Sequence, residues 1–91
     1  MPRRSRVDIV IDVLSALAAE GPMPPTRLAT AANLPYDRLQ GILESLESKG
    51  LVRVSVHGEG RARIAEITPE GRRALAELRR VRRLLRDLGL A

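Results

Sequence analysis

PPTRLATAANLPYDRLQGILESLESKGL, residues 24–51, is the stretch whose reading decides the fold. Leu28, Ala31 and Ala32 share the inward side of a short helix over roughly Thr26–Ala32, with Arg27 outward. Asn33-Leu34-Pro35 makes a tight turn. From Pro35 to Lys49, Leu39, Ile42, Leu43 and Leu46 recur at the three-and-four spacing of a core-facing helical stripe. The opposite face holds Asp37, Arg38, Gln40, Gly41, Glu44, Ser45 and Ser48, with Tyr36 at the boundary. Lys49-Gly50 ends this helix with a favourable charge and a residue tolerant of the left-handed conformation. Two helices joined by so short a turn form a helix-turn-helix.

Working toward the N-terminus, Gly21-Pro22-Met23-Pro24-Pro25 is a rigid approach to that unit, with Met23 placed for a minimal strand. Ser5-Arg6-Val7-Asp8 has the form of a capping box with Asp8 in place of the usual Glu. It starts a helix that runs from about Arg6 to Glu20. Val7, Ile9, Val10, Ile11, Val13, Leu14, Ala16, Leu17 and Ala18 cover more than half of its circumference, and only Asp8, Asp12 and Ser15 form a polar strip. A surface helix needs an apolar stripe of little more than about 100°. This one is therefore expected to bury two sides, one on its own domain and one on something else.

Toward the C-terminus, Val52, Val54 and Val56 alternate with Arg53 and Ser55, as in a half-buried strand over Leu51–Val56. His57-Gly58-Glu59-Gly60 is a hairpin connection, and Arg61–Ile67 returns as a second strand. Thr68-Pro69-Glu70 starts a last helix reaching about Leu88, ~30 Å long at 1.5 Å per residue. Ala74, Leu78, Val81, Leu85 and Leu88 make a heptad seam on it, broadened by Leu75 and Leu84. Arg72, Arg79, Arg83 and Arg86 are expected on the opposite side, flanked by Arg73 and Arg80. Three helices followed by a hairpin are the winged-helix arrangement, with the wing tip at His57–Arg61. The fold class is thus mainly α with a small β-hairpin: a winged helix-turn-helix, 1–68, with a basic N-terminal arm, and a coiled-coil helix, 69–91.

The totals narrow the function. A chain of 91 residues suits one domain that gains from a partner subunit. It has no cysteine, so disulfides and thiolate metal sites are excluded, and a reducing interior is implied. Its apolar runs are too short and interrupted to span a membrane. His57 is the single histidine and stands on a loop, with no second His or Cys to complete a metal site. No Ser beside a base, phosphate-cradling Gly-rich loop or carboxylate pair supports an enzyme, and no cofactor is implied. The net charge of +5 suggests a polyanionic partner, but its distribution is uneven. Arg3, Arg4 and Arg6 sit at one end, seven arginines lie beyond Thr68, and residues 7–68 hold six basic against eight acidic groups. The predominance of Arg over Lys fits phosphate recognition, and equally a GC-rich genome or heat tolerance.

For a double-stranded DNA partner, Tyr36, Arg38, Gln40 and Gly41 are the candidates for the major groove, Gln40 being the one suited to bidentate adenine recognition. Arg27 and Arg53 are candidates for phosphates, and Arg61 and Arg63 for the backbone or minor groove beside the wing. Each is otherwise a solvated surface group. The N-terminal arginines are either an arm on DNA or a solubilising end. The arginine face of the last helix is either an extension of the footprint or the charged outside of a coiled coil.

The run GLVRVSVHGEGRARIAEITPEG, residues 50–71, resembles the strand, basic wing and Thr-Pro-Glu-Gly helix start of MarR- and PadR-like winged-helix regulators. Together with the RSRVDIV start, the ANLPY turn and the long final helix, the chain is similar to small archaeal winged-helix DNA-binding proteins that dimerise through a C-terminal antiparallel coiled coil. That resemblance spans about residues 3–88 and implies a DNA-binding homodimer paired through Ala74, Leu75, Leu78, Val81, Leu85 and Leu88. Two departures stand out: Pro35 replaces a hydroxyl cap, and Glu44 and Glu47 acidify the second half of the recognition helix. The expectation is a cytoplasmic, nucleoid-associated regulator or chromatin-type protein with no membrane contact and no evident small-molecule ligand. The competing reading is a protein-protein module of a larger transcription or repair assembly.

Overall fold

The structure, a computed structural model, describes residues 4–90. Its elements are α1 (Arg6–Glu20), α2 (Pro25–Ala31), α3 (Tyr36–Ser48), β1 (Val52–His57), β2 (Ala62–Ile67) and α4 (Pro69–Asp87). This is the expected winged helix-turn-helix with a long C-terminal helix, and the element ends fall within a residue or two of the spans read from the sequence. The capping box of α1 forms in full: Asp8 N donates to Ser5 Oγ at 3.1 Å, and Ser5 N donates to Asp8 Oδ2 at 3.0 Å. Met23 forms a bridge with Ala65, so the hairpin gains one residue of a third strand.

α1 lies at the centre. It packs against α2, α4 and β2, and Ile9, Ile11, Val13, Leu14 and Leu17 are buried. They meet Leu28, Leu34, Leu39, Ile42, Leu43, Leu46, Val52, Ala65 and Leu75 in one aliphatic core. A second surface that α1 covers is thus α4 of its own chain. Of its large apolar residues only Val7 stays exposed.

β1 and β2 pair antiparallel in the register Val52↔Ile67 to His57↔Ala62. The valine alternation holds at the base and fades outward: Val52 is buried, Val54 is half-buried and Val56 is exposed, because the wing projects past the domain. Glu47 of α3 reaches this strand, its Oε2 accepting from Val54 N at 3.3 Å. That contact satisfies an N–H on the free edge of β1, which is otherwise open to pairing with another chain.

α4 is fixed at its start. Thr68 Oγ1 donates to Gly50 O at 2.6 Å and accepts from Gly71 N at 3.0 Å, so one hydroxyl caps α4 and ties it to the end of α3. Gly71 is buried there, so close to Leu51 that a Cβ would collide with its carbonyl oxygen. Further along, α4 presents two faces. Leu75 and Leu78 turn to the core, and the arginines beside them reach α1: Arg79 donates to Ser15 Oγ at 2.8 Å and Arg82 to Asp8 Oδ1 at 3.4 Å. Arg79 is exposed, as expected of the arginine face, and is at the same time engaged with α1. Leu75 is only 3% exposed and lies inside its own chain's core, which leaves it no surface for a partner. Val81, Leu84, Leu85 and Leu88 are displaced around the helix and stay exposed.

Candidate nucleic-acid interface

α3 is amphipathic because its four leucine and isoleucine side chains recur once per turn and Pro35 starts it with φ near the helical value. With Leu39, Ile42, Leu43 and Leu46 inward, the 100° step per residue aims Asp37, Gly41, Glu44 and Ser48 straight out. All four are exposed. Two carboxylates therefore lie on the crest of the helix, while Tyr36, Arg38 and Gln40 occupy its flanks.

The flanking groups differ in readiness. Tyr36 is 41% exposed in the first turn, and its hydroxyl accepts from Gln40 Nε2 at 2.7 Å. The other end of that amide, Gln40 Oε1, is buried without a hydrogen-bond partner. Gln40 is thus held against the helix, and bidentate use of its amide would require Tyr36 to release it. Arg38 is exposed and has no ion pair among the described residues. A Cβ at Gly41 would meet nothing within 4 Å, so the crest is low there and a groove wall can come close.

Two of the arginines chosen for phosphates are engaged. Arg27 lies 3.3 Å from Glu20, joining α2 to α1, and Arg53 lies 3.4 Å from Glu66, its register partner across the hairpin. Both pairs are exposed, worth on the order of 0–1 kcal/mol, and are readily exchanged for a phosphate. The wing arginines are unengaged among the described residues. Arg61 and Arg63 are exposed and make no ion pair. Arg61 also has φ +55°, a left-handed backbone that costs a non-glycine residue about 1 kcal/mol or more.

Three groups matter more than their sequence context suggested. Glu47, read from the sequence as acidifying the recognition helix, bonds the edge of β1. Arg4, read as part of either an arm on DNA or a solubilising end, is folded back onto α1, its Nη1 lying 3.0 Å from Asp12 Oδ2. Arg3 lies outside the described residues. Asp8 is the third: the Ser5 backbone N–H, then the Ser5 hydroxyl, then Arg82 hold its carboxyl below the usual value of 3.8. Among the described residues no group of three or more His, Asp or Glu side chains is placed to hold a metal ion, and no helix is long and apolar enough to cross a membrane.

The arrangement is an exposed helix face beside a basic two-stranded wing. Comparison with solved structures finds the same arrangement repeatedly. The transcriptional regulator BldR from Sulfolobus solfataricus is 32% identical, with a TM-score of 0.77 over 90% of this chain and 59% of that one. A MarR-family transcriptional regulator from Silicibacter pomeroyi is 28% identical, with a TM-score of 0.75 over 87% of this chain and 53% of that one. Sso10a-2, a DNA-binding protein from Sulfolobus solfataricus, has the same fold, with a TM-score of 0.83 and 22% identity over 93% of this chain and 85% of that one. The chain thus spans a little over half of the two regulators. A comparison with curated proteins finds no significant match. The family model described as winged helix-turn-helix matches residues 3–86, and the chain belongs to that family.

Proposed function

We propose that this protein binds double-stranded DNA as a homodimer, as a transcriptional regulator or a chromatin-type protein, and that it is not an enzyme. The observation that carries the reading is the wing: Arg61 and Arg63 are exposed, and among the described residues neither is taken up by an ion pair. On this reading α3 sets the register with Tyr36, Arg38, Gln40 and Gly41, and the affinity comes chiefly from Arg61 and Arg63, with Arg27 and Arg53 released from Glu20 and Glu66 to phosphates. The acidic crest at Asp37 and Glu44 makes α3 a poor source of attraction by itself.

Pairing of two chains is supported by α4, whose Val81, Leu85 and Leu88 are 44%, 37% and 62% exposed in the isolated chain and continue the line of Ala74 and Leu78. The 1–68 body and the 69–91 helix then divide the work between DNA and self-association. A place in the cytoplasm, on the nucleoid, follows from the proposed ligand.

The test is duplex binding by fluorescence anisotropy across a salt series. Binding should weaken steeply with salt, by roughly 0.9 in log affinity per log salt for each phosphate neutralised. Arg61→Gln with Arg63→Gln should reduce that slope by about two contacts. Absence of binding to any duplex at low salt would overturn the proposal. The crest carboxylates favour one competing reading, a protein-protein module, which such a null result together with retention of a specific protein partner would support.

A further inference from the structure

We propose that Arg4 is a positioning residue for the recognition helix, a role that rests on the reading of α3 as the DNA-facing element. Its guanidinium sits in the cleft between α1 and α2 and makes three contacts. Nη1 donates to Asp12 Oδ2 at 3.0 Å and to Ala32 O at 2.7 Å, and Nη2 donates to Asn33 O at 2.6 Å. Ala32 is the C-cap of α2, and Asn33 is the left-handed residue of the turn, with φ +55°.

The chemistry explains why a guanidinium is found there. The last carbonyls of a helix lack partners within it and form the negative end of its dipole. The turn's own bonds are Asn33 N to Thr30 O at 3.1 Å and Leu34 N to Ala29 O at 2.9 Å, which leave the oxygens of Ala32 and Asn33 to Arg4. The planar fork of an arginine reaches both oxygens and the Asp12 carboxylate together, which the single ammonium of a lysine does not match. α3 begins at Tyr36, three residues after Asn33. Whatever fixes the turn thus fixes the direction of the segment carrying Tyr36, Arg38 and Gln40.

The polar strip of α1 gives Arg4 its leverage. Asp8 and Ser15 accept from Arg82 and Arg79 of α4, and between them Asp12 accepts from Arg4. One edge of α1 therefore holds α4 at two points and the helix-turn-helix turn at the third. A basic residue this near the chain's start invites the reading of a phosphate-binding arm, but in this geometry the Arg4 charge is directed inward.

Arg4→Ala and Asp12→Asn test this by duplex affinity over a salt series, amide hydrogen exchange and thermal stability. For Arg4→Ala we expect affinity to fall roughly 3- to 30-fold, the range of substitutions that act on a site without touching the ligand. The salt slope should stay unchanged, with faster exchange at Leu34 and Leu39, whose N–H groups donate to Ala29 O and Pro35 O across the turn and the start of α3. Asp12→Asn should also weaken binding, although removing a carboxylate from a DNA-binding protein would by charge alone strengthen it. The proposal is overturned if Arg4→Ala lowers the slope by about one phosphate contact, ~0.9, with exchange unaltered, since Arg4 is then an arm on DNA. It is equally overturned if affinity is unchanged while only the melting temperature falls, or if Asp12→Asn binds more tightly. Failure of the wild-type protein to bind any duplex at low salt would count against the DNA reading instead. Exchange at Leu34 in Arg4→Ala would then still decide whether Arg4 holds the turn.

Discussion

Two glycines within helices predict opposite effects for the same substitution. At Gly71, in the first turn of α4, an added Cβ would overlap the carbonyl oxygen of Leu51 and lie 2.7 Å from Ile67 Cγ1. The Ile67 side chain can yield, but the Leu51 carbonyl belongs to backbone fixed by Thr68 N, which donates to it at 3.1 Å. Overpacking of this kind costs typically about 1–3 kcal/mol, and a clash with backbone belongs at the upper end. Alanine's better helix propensity returns at most ~1 kcal/mol. Gly71→Ala should therefore destabilise the fold by about 2 kcal/mol, lowering the melting temperature by roughly 8–16 °C for a domain of this size. At Gly41, in the middle of α3, a Cβ meets nothing within 4 Å and φ is not left-handed. Gly41→Ala should stabilise by about 0.5–1 kcal/mol through the backbone entropy of the unfolded chain. Urea unfolding at one fixed protein concentration, which keeps any self-association constant, measures both. A Gly71→Ala variant as stable as the wild type would refute the close approach of α4 to Leu51. A Gly41→Ala variant no more stable than the wild type would refute the open crest of α3.

Three further outcomes follow from the same geometry. The Asp8 pKa is held below 3.8, so the unfolded state binds its proton first as the medium is acidified. Its stabilisation is present above that value and lost as pH falls through the lower folded pKa. Asp8→Asn should thus lower stability at neutral pH and flatten the acid limb of the pH–stability curve, and a limb unchanged in steepness would contradict this. Arg61→Gly relieves a left-handed backbone and should raise stability by about 1 kcal/mol while reducing the salt dependence of duplex binding by about one contact, a pairing read by melting and anisotropy on the same sample. Leu85→Glu sits on the exposed line of α4, so it should leave the protomer folded by circular dichroism and shift the mass in sedimentation from dimer to monomer. An unchanged mass would remove α4 as the pairing element.

Local signals made most of the fold legible. Ser5 and Asp8 marked the start of α1, Thr68-Pro69 that of α4, and the glycines around Glu59 marked the wing, because caps and turns are decided by a few consecutive residues. The sides of the helices were less legible. Nothing in the order of residues says that α4 crosses α1 so as to bury Leu75 and leave Val81 exposed, since that depends on how two helices cross. For the same reason Asp8, Asp12 and Ser15 were legible only as a polar strip, whereas Asp8 and Ser15 receive Arg82 and Arg79 from α4 and Asp12 receives Arg4. The candidate interface was legible as a set of basic and polar side chains. It was not legible which of them were already held: Arg27 by Glu20, Arg53 by Glu66 and Gln40 by Tyr36. Of these, Arg53 with Glu66 follows from the hairpin register once the turn length is known.

Tyr36 is the chain's single aromatic residue, since it contains neither Trp nor Phe. It stands in the first turn of α3, half exposed, with its hydroxyl bonded by Gln40. The protein's entire near-ultraviolet absorption and intrinsic emission therefore arise from one phenol on the recognition helix. Quenching by stacked bases, a red shift on phenolate formation or a change in emission anisotropy reports on that helix alone, without an added fluorophore. Stopped-flow tyrosine emission can thus time the arrival of α3 at a duplex, while far-ultraviolet dichroism follows the rest of the helices separately.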